Sequence, residues 1–142
     1  MTAFIKSLIQ RPCFTVNSNS TVVEAVEVLS RYNIGAVLVL VVDETKSIKG
    51  IISERDIARR LASHQSINGF LASDIMTKNV ISVTTNVSSS DIMKLMTENK
   101  CRHLPIVSNG QLLGVVSIGD VVKRLLEKYD QELEQMRTFI NA

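Results

Sequence analysis

The chain has 142 residues, of which 45% are hydrophobic, 21% charged and 4% aromatic, and its formal net charge is +2. This composition is typical of a folded domain and argues against a disordered chain. The near balance of 16 basic and 14 acidic residues argues against a nucleic-acid-binding surface. A zinc site with thiolate and imidazole ligands would need every cysteine and histidine of the chain: Cys13, Cys101, His64 and His103. We therefore expect neither nucleic acid nor metal.

The N-terminal segment MTAFIKSLIQRPCF does not resemble a signal peptide, because polar residues and a proline interrupt it. The longest purely aliphatic run, residues 36–42, is far shorter than the roughly 20 residues that a membrane helix needs. We expect a cytoplasmic protein in its reduced state, without a membrane partner.

The first predicted helix follows a short extended piece that begins at Thr15. Thr21 precedes an apolar-periodic segment and Glu24 lies three residues further on. In this arrangement a hydroxyl and a carboxylate satisfy free N–H groups of a first helical turn. Apolar residues then recur on one helical face: Ala25, Val28, Leu29 and Tyr32. The pattern predicts an amphipathic helix.

Two strands and a second helix complete the first unit. Residues 36–42, AVLVLVV, predict a buried strand, and residues 48–52 predict its partner across a polar loop. The phrase GIISERDIARRL, residues 50–61, then leads from this strand into a helix that follows Ser53. The predicted order is strand, helix, strand, strand, helix.

The second half of the chain repeats this order. Residues 114–125 read GVVSIGDVVKRL, with Gly, Ser, Asp, Arg and Leu identical to the phrase 64 positions earlier. Ser88 and Asp91 repeat the helix start, and Asn109-Gly110 is a strong hairpin turn signal between two predicted strands. The apolar face of this helix comprises Ile92, Leu95 and Met96.

Neither unit can cover its small sheet alone. Two copies packed sheet against sheet would bury both, which predicts an α+β fold of two tandem repeats related by a pseudo-twofold axis. We interpret residues 62–78 as a connector. The predicted domains are residues 1–68, the first repeat with the N-terminal segment, and residues 69–142, the second repeat with a C-terminal helix.

The last predicted helix extends beyond the second repeat. Past about Glu127 the globule is complete, yet apolar residues continue at spacings of 4, 3, 4, 3 and 4: Val122, Leu126, Tyr129, Leu133, Met136 and Ile140. Such a seam needs a partner. Self-association into a homodimer is favoured over a tail that folds back.

The repeated phrase places Ser-x-x-Asp at a strand-to-helix junction twice. The simplest interpretation is a helix capping box. The alternative is a binding site, because a helix N-terminus with its free N–H groups attracts an anion. An Asp at such a place can also accept two hydrogen bonds from a ribose diol.

The two phrases in register, the duplicated order of elements and RHLPIV at residues 102–107 together resemble the tandem cystathionine-beta-synthase (CBS) domain pair, the Bateman module. The resemblance covers essentially residues 15–126. The N-terminal IKSLIQ and the ending from Ser117 look closer still to bacterial proteins that consist of such a pair alone.

The resemblance implies a non-catalytic regulatory module that binds an adenosine-containing nucleotide, AMP, ADP, ATP or NAD(H), in a cleft between repeats, with no cofactor required. It implies that Asp120 and, for a second site, Asp56 hold the ribose, with Ser117 or Ser53 beside ribose or phosphate. It also implies that backbone before the first strand of each repeat takes the adenine edge, at Val80, Ile81, Cys13 and Phe14.

The two repeats differ in the basic residues that could meet phosphate. Arg102-His103 stand where the first repeat has Gly35-Ala36, and Glu54-Arg55 stand where the second has Ile118-Gly119. We expect one strong site, in which Asp120 holds the ribose and Gly119 leaves room for the ligand. We expect Arg55, Arg102 and His103 to contact the phosphate. In a regular strand Arg102 and His103 would point to opposite faces, and Pro105 indicates the irregularity that would let both reach one phosphate.

Three alternatives stay open at this point. Arg55 could lie only on a solvated helix face. Cys101, paired with His103, could be a nucleophile, although no orienting group can be named. The most serious alternative is a dimeric scaffold whose nucleotide cleft is vestigial. In the sensor case we expect the regulatory output to pass to an effector protein.

Overall fold

The computed structural model describes residues 1–31 and 38–141. Tyr32, Gly35, Ala36 and the start of the strand predicted at 36–42 lie outside the described residues. The elements, in chain order, are α1 Ala3–Ile9, β1 Thr15–Asn17, α2 Val22–Arg31, β2 Leu38–Val42, β3 Ile48–Ser53, α3 Glu54–Ala62, α4 Ala72–Ile75, α5 Ser89–Asn99, β4 His103–Ser108, β5 Gln111–Ser117 and α6 Ile118–Ile140. The mixed α+β fold expected from the sequence is confirmed.

The chain divides into two compact units. We name residues 12–81 and 108–112 the first-repeat unit, and residues 1–11, 82–107 and 113–142 the second-repeat unit. Each contains most of one predicted repeat.

The first-repeat unit is built on a three-stranded sheet. β1 pairs in parallel with β2, and β2 pairs antiparallel with β3, so the predicted partnership of these two strands is confirmed. The predicted start of α2 is also confirmed, because Thr21 Oγ1 accepts a hydrogen bond from the Glu24 N–H at 3.1 Å. The core of the unit comprises Val16, Ala25, Leu29, Val41, Ile52 and Ala72.

The connector predicted at 62–78 contributes to this core. It contains the short helix α4, and it forms single bridges at both ends, Leu71 to Thr21 and Thr77 to Ile51. Ala72 is fully buried. Four helical residues are too few to show an apolar period, which explains why the sequence pattern indicated a connector and no helix there.

The second-repeat unit contains the hairpin β4–β5. Asn109 and Gly110 have φ angles of 51° and 76°, the left-handed pair that a type I′ turn requires, so the predicted turn is confirmed. The extended piece predicted before α5 is reduced to one bridge, Val83 to Ile106. Val83 donates to the Pro105 carbonyl at 2.9 Å, but Pro105 has no N–H with which to extend the ladder toward residue 81.

Helix α1 contributes to the core of this second-repeat unit. Ile5 and Leu8 are buried there, and an added Cβ on Gly114 would lie 3.2 Å from Ile9 Cα, so the glycine permits close approach of the helix. The remaining core residues are Val83, Ile92, Met96, Leu104, Ile106, Val116 and Val121. The predicted division at residues 68 and 69 stays a prediction.

Helix α6 is 23 residues long, which confirms the extended C-terminal helix. Val121 is buried and Leu125 is half-buried, but every residue from 126 to 141 is exposed. The tail does not fold back along this length.

No helix within residues 1–31 and 38–141 is long and apolar enough to cross a membrane.

Candidate functional site

The repeated Ser-x-x-Asp motif caps α3 in the first-repeat unit. Asp56 Oδ2 accepts hydrogen bonds from the Ser53 N–H and hydroxyl, both at 2.9 Å, and Ser53 Oγ accepts from the Asp56 N–H at 3.2 Å. The sequence folds this way because the extended Ser53 leaves free N–H groups at the first turn, which the two side chains satisfy.

The same motif caps α6 in the second-repeat unit with nearly identical geometry. Asp120 Oδ2 accepts from the Ser117 N–H at 2.8 Å and from its hydroxyl at 2.9 Å, while Ser117 Oγ accepts from the Asp120 N–H at 3.2 Å. The capping interpretation of both phrases is therefore confirmed. Capping leaves Oδ1 of each aspartate outside the box.

Asp120 has a further partner, Arg11. The guanidinium donates to both carboxylate oxygens, at 3.0 Å to Oδ1 and 2.7 Å to Oδ2, and also to the Val115 carbonyl at 3.2 Å. The side chain of Asp120 is 18% exposed and that of Arg11 is 51% exposed. Burial alone would raise the pKa of Asp120, but the hydrogen bonds from Arg11 and Ser117 outweigh it and hold the pKa below its ordinary value.

Arg11 is the site residue that sequence reasoning missed. It lies two residues after the end of α1, next to the C-cap Gln10. Helix α1 packs against Gly114 at the start of the second phrase, which brings the Arg11 guanidinium to Asp120. The sequence contained one signal. The segments before the two predicted first helices align at a spacing of 67 residues, Thr15 with Ser82, and the same spacing places Arg11 opposite another basic residue, Lys78. Among the described residues Lys78 forms no ion pair, so the first phrase lacks the equivalent contact.

Arg102 and His103 lie where the second-repeat unit presents the N-terminus of α6. β4 begins at His103, so Arg102 immediately precedes the strand, and its carbonyl accepts from the Ile118 N–H at 2.8 Å. Burial lowers the pKa of His103 below its ordinary value, and the positive charge of Arg102 lowers it further. The negative charge of Asp120 raises this pKa but does not reverse the shift. The charges of Arg102 and Asp120 therefore both act on His103.

Pro105 and Gly119 belong to the same unit but differ in access. Pro105 is buried and lies inside β4. Gly119 is exposed, and an added Cβ would meet only Ser117 Oγ, at 3.7 Å, within 4 Å. An added methyl group would thus fit at Gly119, and the role of this glycine in leaving room for a ligand stays a prediction.

The remaining predicted site residues lie in the first-repeat unit. Arg55 is exposed in the first turn of α3, and Cys13 and Phe14 are half-buried ahead of β1. Val80 and Ile81 follow the Thr77 bridge without regular strand pairing, and the Val80 N–H donates to the Lys78 carbonyl at 2.9 Å. Their proposed ligand roles stay predictions.

Cys101 does not have the environment of an activated nucleophile. A pair on one face of a strand would need both residues in that strand, but β4 begins at His103 and Cys101 lies before it. Burial raises the pKa of the Cys101 thiol, which disfavours the reactive thiolate. Within residues 1–31 and 38–141, no group of three or more His, Cys, Asp or Glu residues is arranged to hold a metal ion.

The chain matches the CBS domain family twice, over residues 5–63 and 72–127. It belongs to the CBS domain family. The resemblance drawn from the repeated phrase is thus confirmed. A CBS-domain protein of Arabidopsis thaliana, the mitochondrial CBSX3, is 34% identical over 88% of the chain, which spans 62% of that relative's length.

Solved CBS structures share the fold. A CBS-domain protein from Burkholderia ambifaria is 36% identical with a TM-score of 0.75, over 87% of this chain and 91% of that one. The CBS pair of MJ0100, 27% identical with a TM-score of 0.74 over 87% and 96%, was solved with 5-methylthioadenosine and S-adenosylmethionine. PAE2072 from Pyrobaculum aerophilum, 27% identical with a TM-score of 0.69 over 78% and 83%, was solved with AMP.

Proposed function

We propose that this CBS pair is a regulatory module that binds an adenosine-containing ligand through Asp120. The single observation that supports it is the Asp120 carboxylate at the N-terminus of α6, which is paired with Arg11 and acts on the charge of His103. A carboxylate accepts hydrogen bonds from a ribose diol, and cations with helix N–H groups attract phosphate. Family members solved with AMP and with S-adenosylmethionine support the ligand class.

Arg11 gives the proposal a specific mechanism. Both Asp120 oxygens accept from its guanidinium, so a ribose diol has to take over at least one of these hydrogen bonds. A guanidinium released in this way is a good partner for a ligand phosphate. Ligand entry would then exchange a contact inside the protein for contacts to the ligand.

Regulation requires that the ligand bind one arrangement of the module more tightly than another. Release of Arg11 supplies such a difference, because Arg11 lies two residues after the end of α1 and its pairing with Asp120 ties that end of the helix to the N-terminus of α6. We propose that an effector protein reads this change and that the chain itself is not a catalyst. The predicted cytoplasmic location, and NAD(H) as ligand, stay predictions.

The second candidate is a ligand-free scaffold, and one observation favours it. Each phrase is already a complete capping box, and Asp120 has its ion pair, so neither aspartate needs a ligand to be satisfied. The two candidates differ in one measurable property, which is the binding of a nucleotide.

Isothermal titration calorimetry and thermal unfolding with AMP, ADP, ATP, NAD, NADH, S-adenosylmethionine and GMP distinguish the candidates. We expect one adenosine ligand to bind and GMP to fail. At 100 times its dissociation constant a ligand adds about 2.7 kcal/mol to the free energy of unfolding. For a chain of this size the melting temperature should then rise by roughly 5 to 10 °C.

The matched variants are Asp120→Ala and Asp56→Ala, since both remove the same capping carboxylate. We expect Asp120→Ala to abolish the calorimetric signal and Asp56→Ala to retain it. Arg11→Met should weaken binding of ligands with phosphates relative to 5-methylthioadenosine, which has none. Absence of binding by every ligand to the unmodified chain would establish the scaffold instead.

A further inference from the structure

The C-terminal half of α6 carries an apolar stripe that is exposed along its length. From residue 126 onward every side chain is exposed, with exposed fractions of 58% for Leu126, 51% for Leu133 and 74% for Ile140. Tyr129, Met136 and Phe139 are 59%, 60% and 83% exposed. Fifteen residues of helix, about 22 Å, thus extend past the packed core.

A helix of this kind is not stable by itself in water. Isolated helices of about 12 to 15 residues are marginal, and their stability in proteins comes from packing of the apolar face. The spacing of the stripe is that of a heptad, in which Leu126, Leu133 and Ile140 take position a. Val122, Tyr129 and Met136 take position d. The pattern is that of a coiled-coil seam.

We propose that α6 forms a parallel, in-register two-stranded coiled coil with α6 of a second copy of this chain. Charge complementarity supports both the choice of a second α6 as the partner helix and its parallel direction. In a parallel pair, position g of one heptad faces position e of the next heptad on the partner helix. Here these positions are Glu132 and Arg137, so two oppositely charged pairs form by symmetry.

An antiparallel pair with the whole stripe overlapped has the opposite electrostatics. That register aligns Leu126 with Met136 and Tyr129 with Leu133. In this register three pairs of like charge face each other between the two helices: Glu132 with Glu132, Asp130 with Asp130, and Lys123 with Arg137. Each of these pairs repels. Among residues 1–31 and 38–141, the one acidic group within ion-pair distance of Arg137 is Glu134 of the same helix, at 3.9 Å. Both side chains are about three-quarters exposed, so this weak contact leaves Arg137 available to a partner helix.

Sedimentation equilibrium of the full chain tests the association. We expect a dimer, and Leu133→Glu should weaken it by more than about 100-fold, because it removes two apolar side chains from one layer and adds two like charges. The matched control is Gln131→Glu, which adds the same charge at position f on the outer face and should leave the dimer intact. A monomeric chain, or a dimer that Leu133→Glu leaves unchanged, would overturn the proposal.

Charge exchange tests the direction. In the parallel pair Arg137→Glu meets the partner's Glu132 and weakens the dimer, and Glu132→Arg in the same chain restores it. In the antiparallel pair Arg137→Glu meets Lys123 and strengthens the dimer. Oxidation of Met136→Cys, in a chain with Cys13→Ser and Cys101→Ser, should link two parallel copies across one layer. A stronger Arg137→Glu dimer without the crosslink would overturn the parallel arrangement.

Discussion

The two copies of the glycine-to-aspartate phrase, residues 50–56 and 114–120, are the same in their own hydrogen bonds and differ in what packs on them. Each serine and aspartate form the same capping box, with corresponding distances that agree to within 0.1 Å. The Ile51 carbonyl accepts from the Thr77 backbone N–H at 2.9 Å, whereas the equivalent Val115 carbonyl accepts from the Arg11 side chain at 3.2 Å.

This difference shows how a duplicated phrase acquires two roles. Short-range bonds depend only on residues within the phrase, so duplication copies them. The segment that packs on each strand comes from elsewhere in the chain, so it was free to differ. The first phrase forms backbone hydrogen bonds to Thr77, and the second binds the Arg11 guanidinium through the Asp120 carboxylate. Among the described residues, the aspartate of the second phrase has an ion pair and that of the first has none, and the proposed ligand exchange depends on this ion pair.

The glycines that open the two phrases should give the largest effect. An added Cβ on Gly50 would lie 2.6 Å from Met76 Cγ and 2.8 Å from the Thr77 carbonyl oxygen, which is backbone and cannot rotate away. On Gly114 the nearest atoms, Ile9 Cα and the Leu8 carbonyl oxygen, lie at 3.2 and 3.3 Å. Gly50→Ala should cost about 2 to 3 kcal/mol of unfolding free energy and Gly114→Ala about 1.

Urea denaturation measures both changes, and Gly119→Ala is the control. An alanine there meets only Ser117 Oγ at 3.7 Å and favours the helix, so the control should be neutral or stabilising by up to about 1 kcal/mol. Equal costs at Gly50 and Gly114 would show that the two packing contacts are equivalent, contrary to the distances.

The capping aspartates should give an intermediate effect. Asp56→Ala removes acceptors for the Ser53 N–H and hydroxyl, at a cost of about 1 kcal/mol. Asp120→Ala removes the same acceptors and the partner of Arg11, so its cost should reach about 2 kcal/mol. Because the folded pKa of Asp120 is lowered, this extra stability is present above about pH 4 and is lost as pH falls through the folded pKa.

A double-mutant cycle with Arg11→Ala isolates the ion pair from the cap. In the Asp120→Ala background Arg11→Ala should cost less than in the unmodified chain. Additive costs would mean that the contact between the two side chains contributes nothing to stability.

The sequence predicted those features that depend on residues close together in the chain and missed those that depend on distant residues. Ser53 and Ser117 as caps, and Asn109-Gly110 as a turn, depend on residues within four positions, so the pattern alone sufficed. Arg11 and Asp120 are 109 positions apart, and nothing in the local pattern of either indicates the other. The helix α1 was missed as a core element for the same reason, since its burial depends on β5 and α5.

His103 should give the smallest effect, and it tests whether the second phrase has its own electrostatic environment. Its folded pKa lies below the ordinary value of 6.5. Between these two values the unfolded chain binds more protons than the folded chain, so stability falls as pH is lowered through 6.5 and is fully present above it.

His103→Asn should reduce this slope while changing the stability at pH 8 by less than about 1 kcal/mol. Unfolding in urea at pH 8.0 and 5.5 measures it, with His64→Asn as the control for an exposed histidine of the first-repeat unit. A slope that follows His64 rather than His103 would contradict the lowered pKa of the half-buried His103 imidazole.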